Sequence, residues 1–74
     1  MPHVNIKHHP KPLSEAEQSE LVAAVTAALV NAFGCPEGAV SIALEPVAAE
    51  VWHEQVYIPE IVDRSDLLRR TPSY

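Results

Sequence analysis

The residue with the most chemistry to offer in this sequence is Pro2, directly behind Met1 and at the head of an alternating, strand-like segment. A small residue after the initiator permits removal of the methionine, which turns the Pro2 ring nitrogen from a blocked amide into a free secondary amine. An α-amine titrates near ~7.7–8 in a model peptide, below any lysine. Burial in an apolar pocket lowers that value further, because desolvation penalises the ammonium form. A neutral amine on a stiff ring suits general-base work near neutral pH. Proline at position two also serves processing alone, so Pro2 by itself does not settle the function.

The other reactive side chains are weaker candidates. The four histidines are His3, His8, His9 and His53. His3 misses the amino-terminal copper motif, which needs a backbone amide that Pro2 lacks. His8 and His9 are neighbours in a strand and point to opposite faces. There is no HExxH or comparable helix pair, so a metal site is not expected. Cys35 follows Gly34 at a helix C-terminus, where the dipole disfavours a thiolate, and reads as structural. Trp52, the only tryptophan, is either an interface anchor or the wall of an apolar pocket. Arg69 and Arg70 read either as solvated charge or as a receiver for an acidic surface or ligand.

These residues need elements to position them. Residues 3–9 alternate, with Val4 and Ile6 on one side and His3, Asn5 and Lys7 on the other, which predicts a strand ended by Pro10 and Pro12. Ser14 and Glu17 form a capping-box pattern opening a helix that runs to about Phe33 and stops at Gly34. Its apolar face is broad: Leu21, Val25, Ala28, Leu29 and Phe33 form one stripe, widened by Val22, Ala23 and Val30. Such a face packs on a sheet and on a neighbouring element as well. Residues 39–45 read as a second strand, parallel to the first through a βαβ crossover. Beyond Pro46 the pattern weakens; residues 48–57 suggest a short helix ended or interrupted by Pro59, and Ser65 starts another turn.

Composition sets the frame. The chain has 74 residues, 47% of them apolar, with ten acids against five bases and a net charge of −5. That length makes one small domain, 1–74, of α/β (α+β) class, which buries only roughly 60% of its unfolded surface by itself. Two strands do not make a stable sheet, so a second subunit is expected to complete a four-stranded one. The acidic balance argues against nucleic acid. No apolar run reaches the ~20 residues of a membrane span, and the polar start does not read as a signal peptide. With a single cysteine and no internal disulfide, the expected location is cytoplasmic.

Order and spacing carry a resemblance. The segment from MPHVNIKHHPKPLSEAEQ through the capped helix to SIALEPV, then Trp52, VYIPEI and a closing RRTPSY, resembles the 4-oxalocrotonate tautomerase family along nearly the whole chain. The resemblance implies a β-α-β tautomerase fold and a cofactor-free, metal-free isomerase in a homo-oligomer. It also implies an N-terminal proline, here Pro2, that shuttles a proton between oxygen and carbon of an enol.

Other parts of the family pattern are altered. An arginine that binds a substrate carboxylate before the helix corresponds here to Lys11, which keeps the charge but loses the planar fork. A second arginine that stabilises the oxyanion falls on Ser41, an uncharged donor. The aromatic shield of the proline falls on Trp52. His9, Ser41 or a water is then the candidate donor to the carbonyl oxygen.

The expected function is proton transfer on a small 2-oxo or 2-hydroxy unsaturated acid, a carboxylate or enol substrate, in a dimer rather than a hexamer. The alternatives are dehalogenation or decarboxylation of a small unsaturated acid on the same scaffold, or a non-enzymatic oligomeric interaction module.

Overall fold

The computed structural model describes all 74 residues. Strand β1 spans His3–His8, helix α1 spans Glu15–Phe33 and strand β2 spans Ser41–Pro46. The two strands pair in parallel, His3 opposite Ser41 through His8 opposite Pro46. Parallel neighbours need a crossover of a dozen residues or more, and α1 supplies it. Val4, Ile6, Ile42 and Leu44 are half-buried, whereas His3, Asn5, Ser41, Ala43 and Glu45 are exposed. The period-two pattern therefore gives the sheet one apolar and one polar face. Across the polar face Asn5 Nδ2 donates to Glu45 Oε1 at 2.8 Å.

Helix α1 begins where its caps dictate. The Glu17 N–H donates to Ser14 Oγ at 3.1 Å, and the Ser14 N–H returns a bond to Glu17 Oε1 at 2.9 Å. The Ser14 backbone N–H, then its hydroxyl, hold the Glu17 carboxyl below its ordinary value. This contribution is full above the ordinary glutamate range and is lost as pH falls through the lowered folded value. Gly34 closes the helix with φ of 64°, a left-handed geometry that suits glycine. Replacing Ser14 with alanine is expected to cost about 1 kcal/mol. In a chain of this size that is a fall of roughly 4–8 °C in Tm by thermal denaturation.

Two expectations need correction. The second strand starts at Ser41 rather than Ala39, because residues Glu37–Ala39 form a 3-10 turn after Pro36. In that turn the Ala39 N–H bonds the Pro36 carbonyl at 3.0 Å. The segment expected as a helix over 48–57 is a 3-10 turn, Ala49–Val51, followed by a ten-residue π-helix, His53–Val62, that continues through Pro59. Wider i→i+5 turns, such as Asp63 N–H to the Ile58 carbonyl at 2.9 Å, relieve the clash that a proline ring makes with the preceding α-helical turn. A last 3-10 turn covers Ser65–Leu67.

Little of this chain is enclosed. Only Val47 and Val56 are buried. On α1, Leu21, Val25 and Leu29 are half-buried, while Val22, Ala28 and Phe33 stay exposed. The surface area is 5690 Å², against about 4500 Å² for a compact monomer of this mass. No helix is long and apolar enough to cross a membrane.

Candidate active site

The candidate residues fall into two groups at opposite ends of β1. At its start Pro2 is half-buried behind a fully exposed Met1. The Pro2 carbonyl accepts from the Ser41 N–H at 3.2 Å, and His3 Nδ1 is hydrogen-bonded to Ser41 Oγ at 2.7 Å. Ladder pairing thus fixes the backbone on which the Pro2 nitrogen sits, and Met1 packs against nothing that its removal would disturb. Ser41 is beside Pro2, but its hydroxyl is already engaged by His3.

At the far end, His9 and Trp52 meet edge to face with ring centroids 4.7 Å apart. The Trp52 Nε1–H donates to the Tyr74 hydroxyl at 3.2 Å. A cleft of about 410 Å³ opens there, lined by Lys7, His8, His9, Trp52 and Tyr74. Lys11 lines an adjoining cleft of about 450 Å³ with Pro10, Pro12, Leu13 and Gln18, and His8 borders both. Lys7 forms an ion pair with Glu60 of the π-helix. The hydrogen bond to Glu60, ahead of the opposing desolvation, raises the Lys7 pKa above its ordinary value, so Lys7 is a cation throughout the neutral range.

Six residues of β1 separate the two groups by about 20 Å at the rise of an extended strand. That span exceeds any small enol acid. Within one chain, Pro2 and Ser41 are together, and His9, Trp52 and Lys11 are together, but the two sets do not meet. No three histidine, cysteine, aspartate or glutamate side chains converge as a metal cluster would require. Cys35 is half-buried and unpaired.

Residues 2–57 match the family model described as "Tautomerase enzyme", and the match begins at Pro2. The chain belongs to the tautomerase family. The likeness to individual members extends over its full length. It is 38% identical to Tautomerase PptA of Cronobacter sakazakii, 34% to that of Pectobacterium carotovorum and 30% to that of Escherichia coli. Each alignment covers all of this chain and 97% of the relative. The β-α-β arrangement expected of the family is the one observed.

Three side chains at the far end of β1 were missed by sequence reasoning. The alternation of Lys7 with His3 and Asn5 marks it only as an outward strand residue and gives no sign of its ion pair with Glu60. Tyr57 and Tyr74 carried no spacing signal. Their rings lie 5.9 Å apart, a contact between the π-helix and the chain's last residue that local periodicity does not encode.

Proposed function

We propose that this protein is a cofactor-independent tautomerase that moves a proton between oxygen and carbon of a small 2-oxo or 2-hydroxy unsaturated acid, with Pro2 as general base and then general acid. Membership of the tautomerase family supports a tautomerase-type isomerase in general. The observation that carries the finer reading is Pro2 itself: it opens the family match, sits half-buried at the strand head, and directly follows an exposed methionine. With Met1 removed, the neutral amine takes the enol hydroxyl proton as the carbonyl forms. The prolinium then returns a proton to the conjugated carbon, leaving the amine neutral for the next cycle. Lys11 supplies a positive charge for the substrate carboxylate, and Trp52 supplies an apolar wall that favours the neutral amine. His9 and Ser41 are the candidate donors to the developing oxyanion, and neither brings the fixed charge of an arginine, so a modest rate is expected.

The same reading includes a homodimer. The shortage of buried residues, the exposed Val22 and Phe33, and a surface about 1200 Å² larger than a compact monomer needs all favour a partner copy. A two-fold axis pairing β1 with its counterpart would run the strands antiparallel and continue the sheet to four strands. Pro2 of one copy would then approach His9, Lys11 and Trp52 of the other.

The test couples intact-mass measurement of untagged protein to a ketonisation assay with phenylenolpyruvate. A mass lacking methionine together with ketonisation is the expected result. Retained methionine, or turnover of a 3-haloacrylate without ketonisation, overturns it.

A further inference from the structure

The segment after Leu67 has no regular secondary structure, yet its Tyr74 is anchored from two sides. Its hydroxyl accepts the Trp52 indole N–H at 3.2 Å, and its ring lies 5.9 Å from that of Tyr57, tilted by 40°. Tyr57 is in turn stacked on His53 at 5.3 Å. A row of rings therefore runs from the π-helix to the cleft beside His9, with Tyr74 as its inner member. Despite both contacts Tyr74 remains 66% exposed, and it lines two clefts that share Trp52. It also lies beyond residues 2–57, where the family match ends, and so outside the part of the chain that carries the general proton-transfer machinery.

We propose that Tyr74 is a specificity-determining residue whose ring, held by Trp52 and backed by Tyr57, forms the wall against which a flat apolar substituent of the substrate acid lies. The inference rests on the tautomerase reading for the substrate's carboxylate and enol, and adds the substituent. Three features of the cleft point to that ligand chemistry. Trp52, His9 and Tyr74 supply ring surface to its lining. Lys7 is the one cationic side chain lining it, and its charge is already balanced by Glu60. With that charge neutralised, the cleft suits an uncharged planar tail beside the carboxylate that Lys11 of the adjoining cleft would hold, rather than a second carboxylate. Aromatic pairs add about two- to twelvefold in affinity beyond the area they bury.

Two unreactive acids, cinnamate and crotonate, separate planar tail from carboxylate, and Trp52 is the only tryptophan available to report their binding by fluorescence. Tyr74→Ala is expected to raise the cinnamate Kd roughly tenfold while changing the crotonate Kd by less than about twofold. Tyr74→Phe, which keeps the ring and its contact with Tyr57 but loses the bond from Trp52, is expected to restore part of the preference for cinnamate. Equal weakening of both acids, no change in either, or no cinnamate binding to the unmodified protein overturns the proposal. Equal weakening accompanied by a lower Tm assigns Tyr74 a purely structural role. Because the readout is binding, the two readings fail separately. A selective Tyr74 effect without ketonisation removes the tautomerase chemistry and keeps the wall. Ketonisation with no Tyr74 effect removes only the wall.

Discussion

Replacing Pro2 with alanine is expected to lower kcat for ketonisation by about 10²-fold, with circular dichroism and oligomeric state unchanged. General acid–base transfer by a positioned group contributes about 10²–10⁴-fold. Alanine keeps the loss near the lower end, since methionine is still removed and a primary α-amine remains. What disappears is the ring that fixes the nitrogen. Backbone bonding through the Pro2 carbonyl to the Ser41 N–H does not depend on the side chain, so the strand head stays in place.

Replacing Pro2 with leucine is the harsher form of the same test, because a large second residue retains Met1. The nitrogen then stays an amide with no basic lone pair, and the loss should reach the upper part of that range. The sign of the pH dependence follows: kcat/KM falls as acid protonates the free amine, since the ammonium cannot accept the enol proton. Full activity in both variants removes Pro2 from the mechanism.

The sequence made some of this architecture legible because local physics decides it. Strand alternation read over residues 3–9, the reciprocal Ser14–Glu17 cap and the Gly34 terminator all act within a few residues; the caps are present as read, and the strand ends one residue earlier, at His8. The segment after Pro46 was harder. A π-helix differs from an α-helix by one residue in each hydrogen-bonded turn, a difference that hydrophobic spacing over ten residues does not resolve, and Pro59 signals a break that the wider turn absorbs. The candidate site was legible as a set of residue types but not as a place. Pro2 and Trp52 could both be picked out, yet nothing local says that β1 holds them apart. The Lys7–Glu60 pair and the Trp52–Tyr74 bond join residues 53 and 22 positions apart; contacts at that range follow from the tertiary arrangement.

The separation along β1 makes the strongest demand on the assembly. If Pro2 works against Trp52, the two must come from different copies, because one strand holds them about 20 Å apart. Pairing through β1 satisfies this with adjacent strands about 4.8 Å apart, whereas pairing through β2 leaves two strands between the ends that must meet. Mixing denatured Pro2→Ala and Trp52→Ala chains in equal amounts and refolding them together should therefore recover activity that neither variant has alone. Half of the refolded dimers are hybrids. In each hybrid one site combines the intact Pro2 of one chain with the intact Trp52 of the other, and the second site carries both defects. Recovery to about a quarter of the unmodified activity is expected for a two-fold dimer. If Pro2 and Trp52 served the same site from one chain, every site in the mixture would carry a defect and activity would stay at the mean of the two parents. That outcome would overturn the shared site without touching the role of Pro2, since each parent measures its own residue independently.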